Sequence, residues 1–364
     1  MVVVDARTTF GRDRTWCFWD VHPHAAATAV THRWARWRVT GRDGTDVVRT
    51  SGCYTYQHIP ADAFYADALA RIAAAPHVEL RLGEPVQAIA DAGACVRVHT
   101  TRGVLRAAHV FDSRPLLASD GADQPRSRRA AARLVQAFSG AVIRTPAPAF
   151  DASTATLMDF TVDQPVDGFA FGYVLPYSPR DALVELAVIA EHPPAPAVLD
   201  AALVRYTARL TDGAHTVRSR EAGLIPMDAA AVLRRPSARV TRLGVAGGLA
   251  KPSTGYAFLA IQRDAAAIAR SLAGATGAVA PLPPPRSPVA RWLDHVFLRR
   301  LRADPAAAPA LFARLFAAAD ADALVRFLSD VGSYRDAARV VAALPPWPFV
   351  TEAWRLGAAR VDTT

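Results

Sequence analysis

The sequence predicts an α/β protein with an inserted sheet and a helical C-terminal region, on three observations. Short apolar runs that end in an acid, 2–6 with Asp5 and 108–112 with Asp112, flank a helix-spaced stretch at 61–74. Four strand-like runs follow one another at 134–144, 154–162, 168–176 and 182–190. Beyond a proline-rich stretch at 276–288, the spacing is helical to the end.

Taken in order, further short strands at 78–82, 86–89 and 94–100 extend the first unit. Residues 115–130 are polar and arginine-rich and read as a loop. Asp167-Gly168 and Ser178-Pro179 supply turns between the central runs, which suggests an antiparallel sheet beside the first domain. Pro193-Pro194 precedes a helix at 197–211, and 239–245 returns to the first domain as a strand. After the 276–288 linker come helices at 288–302, 306–318, 320–329, 333–343 and 349–357. The expected division is 1–114 with 239–275, then 115–238, then 276–364.

The stretch GVAGGLAKPSTGYAFLAIQRD (244–264) reads as the end of a strand, a tight turn at Gly247 and Gly248, and a Pro252-Ser253-Thr254-Gly255 entry to a helix starting near Gly255. The glycines let backbone approach a ligand, and Ser253 and Thr254 are natural N-caps. Orphan N–H groups and the positive helix end would then face an anion. An ordinary strand-turn-helix has the same pattern.

Composition bounds the partners. The 364 residues, 51% hydrophobic, suffice for one large core or for two sharing an interface. No run approaches the ~18 to 20 apolar residues of a spanning helix. The N-terminus lacks a signal peptide's basic start and long apolar run, so a cytoplasmic protein is expected. Cys17, Cys53 and Cys95 lie far apart without CxxC spacing or clustered histidines, which argues against a metal site or a disulfide framework. The net charge is +9, nearly all arginine, since Lys251 is the only lysine. With no RNP motif, zinc-finger spacing or basic run with interleaved aromatics, a membrane surface is the expected partner and nucleic acid is not. In 288–302, Trp292, Val296 and Phe297 line one face, with Arg291, Arg299, Arg300 and Arg302 on the others. Such a helix lies on a membrane or packs on its own domain with a solvated arginine face.

Among the acids, Glu185 stands in DALVELAVI, an otherwise apolar run. A carboxylate there is costly unless paired or protonated, and desolvation raises its pKa. The alternation leaves open a strand-edge glutamate facing solvent. Asp159 and Asp163, near strand ends, have the pattern of turn formers.

TWCFW (15–19), YQHIP (56–60), VFDSRP (110–115), QAFSGAVIRT (136–145), the stretch from TLMDF to ELAVI (156–189), EAGLIPM (221–227), GGLAKPSTGYAFLAIQRDA (247–265), RFLSD (326–330) and ALPPWPF (343–349) occur in that order. In them the chain resembles lycopene cyclases of the bacterial flavoprotein type, in register from residue 2 to about 355.

The resemblance implies a Rossmann-type FAD-binding domain, an antiparallel substrate sheet, and conversion of the linear ψ ends of lycopene or γ-carotene into β-ionone rings. It also implies that the FAD is reduced by NAD(P)H, although the isomerisation has no net redox change. Such chemistry protonates an alkene, closes a ring onto a tertiary cation and removes a ring proton. It asks for an acid, a base and negative charge in a dry pocket. By resemblance Glu185 falls at the family's essential acid, with Glu221 as second carboxylate. Asp5 takes the ribose position, and Asp112, with Ser113 and Arg114, a second FAD-contacting motif. Gly247, Gly248, Pro252, Thr254, Gly255 and Tyr256 take the flavin-side loop, where many relatives have Gly-Asp in place of Gly247-Gly248.

Trp16, Phe18, Trp19, Tyr256 and Phe258 either line a polyene channel or are plain core. The insolubility of a carotenoid and the cationic balance suggest a peripheral protein on the inner face of the cell membrane. The family normally begins about 25 to 30 residues earlier, with a strand, a GxGxxG loop and a helix. The sequence opens on the second strand, VVVDAR, so the expectation is a start assigned too far downstream, the alternative a truncated product with impaired FAD affinity, and in either case a nucleotide sheet without its central strand. Another FAD-dependent isoprenoid oxidoreductase, a reductase or epoxidase, is the alternative within the superfamily. A lipid-associated remnant without FAD is the non-catalytic one.

Overall fold

Residues 1–115, 133–229, 232–273 and 282–361 are described by the computed structural model. Residues 116–130 of the expected loop and 276–281 of the expected linker lie outside them. The first part of the chain forms β1 (Val2–Asp5), β2 (Thr15–Trp19), β3 (His32–Trp34), β4 (Arg36–Thr40), β5 (Asp46–Thr50), β6 (Tyr56–Pro60) and α1 (Ala61–Ala73). It continues with β7 (Glu79–Leu82), β8 (Val86–Asp91), β9 (Val96–Thr100), β10 (Gly103–Ala107) and β11 (Val110–Asp112). The middle holds β12 (Arg133–Arg144), β13 (Thr154–Asp159), β14 (Phe169–Pro176), β15 (Asp181–Ala190), α2 (Pro196–Thr211), β16 (Thr216–Asp228) and β17 (Val240–Arg242). Helices α3 (Phe258–Leu272), α4 (Pro288–Ala303), α5 (Ala308–Ala318), α6 (Ala321–Leu328), α7 (Tyr334–Ala342) and α8 (Pro346–Val361) complete it.

Seven strands in the order β16-β12-β15-β14-β13-β4-β5 form the main sheet. Neighbours are antiparallel except β13 and β4, which are parallel, so the sheet is mixed where a wholly antiparallel one was expected. Three of its strands escape the sequence reading: β16, and β4 and β5 from the span assigned to the first domain. β4 and β5 are short and mix polar with apolar residues, Arg36 and Arg38 alternating with buried Trp37 and Val39 on β4, because only one of their faces is covered. β15 shows the opposite case. Its Leu183, Ala187 and Ile189 face Phe169, Phe171, Leu175 and the C-terminal Leu298, Phe312 and Leu315. Its Ala182, Val184, Leu186 and Val188 face Leu199, Leu203 and Tyr206 of α2. A strand covered on both faces has no polar side to show, hence the near-continuous apolar run. The C-terminal helices share their core with this sheet.

Beside the sheet lie two separate parallel pairs, β1 with β7 and β11 with β17, an antiparallel meander β10-β9-β8, and a three-stranded sheet β2-β6-β3. No described strand joins β1 to β11, and Val2 is 44% exposed. The expected strand at 239–245 stops at Arg242 and gives way to a 3-10 turn, Gly244–Gly247, because Gly244 takes φ 58°. Helix α3 begins at Phe258 and not near Gly255. Gly255 has φ 73°, outside the helical region, and its N–H is drawn to the Lys251 carbonyl at 2.7 Å.

Candidate active site

Register aligns one residue from each of four adjacent strands: Tyr173 on β14 opposite Glu185 on β15, Glu185 opposite Gly140 on β12, and Gly140 opposite Glu221 on β16. Directly opposed residues share a sheet face, so the two carboxyls flank a glycine. A Cβ at position 140 would lie 2.7 Å from Glu185 Cγ and 3.0 Å from its Oε1. The missing side chain is what lets Glu185 lie across β12 towards Glu221. Glu185 is therefore interior, and the solvent-facing reading falls. Tyr173, Glu185 and Glu221 are each half-buried.

Burial pushes the Glu185 carboxyl well above the usual carboxylate range, and the neighbouring Glu221 raises it further. Burial also raises Glu221, but hydrogen bonds from Glu185 and Thr15 pull it back. Thr15 Oγ1 donates to Glu221 Oε2 at 3.0 Å. Of the two, Glu185 is held more strongly in its protonated form.

The two acids have overlapping surroundings, with Cys17 and Tyr177 near both. Near Glu185 are Cys17 on β2, Tyr56 on β6 and Tyr173, with the two phenol oxygens 2.9 Å apart. Trp19 packs on Tyr56 and Tyr256, with ring centroids 4.8 and 5.8 Å away. Burial drives Cys17, Tyr56, Tyr173 and Tyr256 upward, so all keep their protons. Glu221 borders a cavity of ≈ 110 Å³ that is also lined by Thr15, His58, Tyr177 and Ser219. His58 Nε2 lies 3.2 Å from the Tyr177 hydroxyl, and its Nδ1 lies 2.8 Å from Thr31 Oγ1. Burial pushes His58 down to about 3, so the ring is neutral. Two neighbouring carboxyls of unequal proton affinity, set among aromatic side chains, can deliver a proton and take another up.

The 244–264 stretch is built differently from its sequence reading. A Cβ on Gly247 would lie 2.5 Å from the Arg242 carbonyl oxygen, so that glycine serves the chain's approach to itself and not a ligand's. Gly248 has φ 77°, which ends the turn. Ser253 and Thr254 do not cap α3: Ser253 Oγ donates to Asp294 at 2.6 Å, and Thr254 Oγ1 accepts from the Tyr256 N–H at 3.2 Å. The N-cap is Ala257, which offers no side-chain acceptor. Pro252 is buried in a loop closed by the Lys251 N–H on the Tyr256 carbonyl at 2.8 Å.

Lys251 itself, 2% exposed, lies 2.9 Å from both Asp294 on α4 and Asp330 after α6. Arg286 reaches Asp330 at 2.6 Å and the carbonyls of Gly248 and Leu249 at 3.0 and 2.7 Å. This buried network ties the loop to the C-terminal helices.

Asp5 and Asp112 end parallel strands, where ligands of α/β sheets bind. Each is held by an arginine two residues on: Arg7 Nη2 at 2.9 Å and Arg114 Nε at 2.9 Å. Asp159 accepts from Thr161 and from the Tyr206 hydroxyl, and Asp163 sits on the surface beside Arg205, as turn formers do. Of the five aromatics weighed, Trp19 and Tyr256 reach the carboxyl site, whereas Trp16, Phe18 and Phe258 pack with Phe64 around the start of α3. On α4, Arg299, Arg300 and Arg302 are engaged by Glu352, Asp304 and Glu191. Phe297 is stacked on Phe349, so α4 is a packed helix. Among the described residues no His, Cys, Asp and Glu cluster has the makings of a metal site.

Gly140, Tyr56, Tyr173, Tyr177, His58 and Thr15 escape the sequence reading as site residues. Gly140 was open to discovery: a glycine inside the run QAFSGAVIR signals a close approach.

A family model described as "Lycopene cyclase protein" matches residues 1–353. Among solved structures the chain is similar to a geranylgeranyl bacteriochlorophyll reductase-like protein from Thermoplasma acidophilum. The TM-score is 0.59 at 12% identity, over 97% of this chain and 92% of that one. It is also similar to p-nitrophenol 4-monooxygenase PnpA from Pseudomonas putida DLL-E4, with TM-score 0.53 and 16% identity over 93% and 87%. At these identities the likeness shows a shared mixed α/β fold. No curated protein sequence matches.

Proposed function

The chain belongs to the lycopene cyclase family, and from that premise we propose that it closes the linear ψ ends of lycopene or γ-carotene into β-ionone rings. The observation that supports this reading is the carboxyl pair across Gly140. Glu185 gives its proton to the terminal alkene. The tertiary cation is attacked by the next alkene, which closes the ring, and Glu221 takes the ring proton. The proton then returns from Glu221 to Glu185. Nothing is oxidised or reduced and no atom is lost, so the pair is reset by an internal transfer. The dyad keeps its negative charge beside the cation, and the rings of Trp19, Tyr56 and Tyr256 offer aromatic faces in a dry enclosure.

FAD fits at α3. The helix starts without a side-chain cap, so its first N–H groups remain available to an anionic ring edge, and the preceding loop is locked by its own hydrogen bonds. The first turn of α3 and the Pro252–Tyr256 segment would hold the flavin, and Asp5 the ribose. When bound and reduced, with NAD(P)H as electron source, the flavin supplies negative charge beside the carbocation. A membrane surface is the proposed partner, approached by α8, whose Trp347, Val350 and Trp354 are 78, 54 and 76% exposed. No described helix is long and apolar enough to cross a membrane.

Expression in a lycopene-accumulating bacterium tests the reading. β-Ring pigments are expected, and their loss in Glu185→Gln with flavin content retained. Lycopene persisting unchanged would defeat it. The fold likeness to the reductase-like protein favours a second reading, an FAD-dependent isoprenoid oxidoreductase. NAD(P)H consumption in step with product, and product differing from lycopene in mass, would select it.

A further inference from the structure

Glu221 borders the ≈ 110 Å³ cavity, together with Tyr177, His58 and Thr31. That volume has room for several waters, and Arg12, Thr15, Ser219 and Arg220 on its lining offer them polar partners. On its walls Tyr177, His58 and Thr31 form a continuous chain of exchangeable groups: Tyr177 hydroxyl to His58 Nε2 at 3.2 Å, His58 Nδ1 to Thr31 Oγ1 at 2.8 Å, and Thr31 Oγ1 to His32 Nδ1 at 3.0 Å. None of these is used by the ring-closing chemistry, and His58 is only 3% exposed. A neutral imidazole donates through one nitrogen and accepts through the other, so the chain can run in either direction by a change of tautomer.

From this placement we infer that the cavity is a proton port, in which Glu221 trades its proton with solvent through cavity water, Tyr177 and His58. The role given to Glu221 rests on the cyclase reading, but the port itself does not. Each exchange removes one proton from Glu221 and returns another, so charge and composition are unchanged. The port makes the carboxyl pair two-sided. Both carboxyls lie near Cys17 and Tyr177, but Glu221 is the one that borders the cavity. A proton taken from one substrate is thereby replaced by a solvent proton before the next is delivered. Without the port it would be recycled from substrate to substrate.

Two readouts separate the port from the cyclase reading. In the resting protein, the infrared carbonyl band of protonated Glu185, assigned by its loss in Glu185→Gln, shifts on transfer to D2O. The expectation is fast exchange in the wild type. Exchange slowed on the order of a hundredfold is expected in Tyr177→Phe and His58→Gln, the contribution of one positioned proton-transfer group. Ser219→Leu, which places a larger apolar side chain in the cavity lining, is expected to act in the same direction. In turnover in D2O, wild-type protein should place about one deuteron on each ring formed, at a saturated carbon that does not exchange. Tyr177→Phe should lower that fraction per ring whatever it does to the rate. A purely structural role for Tyr177 would change the number of rings and not their deuterium content. Unchanged carboxyl exchange in all three variants, or wild-type rings free of deuterium over many turnovers, would overturn the port. Normal exchange control with no ring product would leave the port standing and defeat the cyclase reading.

Discussion

Replacing Glu185 by Gln should abolish ring formation and yet stabilise the fold. Its carboxyl is raised by burial and by Glu221, so the native state holds a proton that the unfolded chain releases above about 4.3. Between that value and the native pKa the unfolded state binds fewer protons, so stability falls as pH rises through the window. Gln has the shape without the titration. Its melting temperature should exceed the wild type's by a margin that widens from pH 4 to pH 8, with a gain at neutral pH of about 1–3 kcal/mol. A margin that narrows with pH would mean that Glu185 is not the protonated partner. Gly140→Ala argues the same site from the other side. Alanine ordinarily favours a strand over glycine, but here its methyl would meet Glu185 Cγ at 2.7 Å. A loss of about 1–3 kcal/mol in urea unfolding is expected, together with loss of ring formation. Adding Glu185→Ala should recover most of the stability but none of the activity, because the clash is with that side chain.

At the scale of elements, the loop before α3 is held by charge. Burial disfavours the Lys251 ammonium, but Asp294 and Asp330 outweigh it, and its pKa ends above the ordinary lysine value. Lys251→Met would leave two buried carboxylates facing each other. Removing one partner of a buried ion pair typically costs about 3–5 kcal/mol. Urea unfolding should show a loss of that order. Flavin content should fall with it, because the Pro252–Tyr256 segment loses its anchor to α4 and to Asp330. A variant that keeps full stability would show the network to be ornamental. The network also marks a boundary of what sequence reading reaches. Lys251 is visible as the only lysine, but its partners lie on distant elements and carry no local pattern. Strands β12 to β15 were legible because their apolar runs are long and bounded by turn residues. The start of α3 was misread because Ser253 and Thr254 have cap chemistry but are held elsewhere, by Asp294 and by the Tyr256 N–H. The Glu185–Glu221 pair was legible only as two separate acids. Their meeting depends on a register that passes through Gly140.

At the scale of the whole molecule, the basic balance suggests a membrane surface, and of the two readings open for the helix at 288–302 the packed one fits the structure. Three of the four arginines of α4, Arg299, Arg300 and Arg302, are occupied by Glu352, Asp304 and Glu191, and its Phe297 is packed. The unpartnered aromatic face is on α8. There Phe349, Glu352 and Leu356 turn inward, while Trp347, Val350 and Trp354 point out at helical spacing. Two tryptophans on one face of a terminal helix, in a protein of net charge +9, suit the interface of an anionic bilayer. Inserting each indole is worth about 1.5–3 kcal/mol if fully buried, so even half-insertion of the pair amounts to roughly tenfold in partitioning. Trp347→Ala with Trp354→Ala should therefore weaken sedimentation with phosphatidylglycerol-containing vesicles by about tenfold or more. Melting temperature and flavin content should hardly move, because neither side chain is packed. Ring formation from lycopene dissolved in vesicles should drop with binding, while lycopene presented in detergent should be cyclised at the wild-type rate. Equal vesicle binding by variant and wild type would remove α8 as the contact and leave the general cationic charge to explain any association.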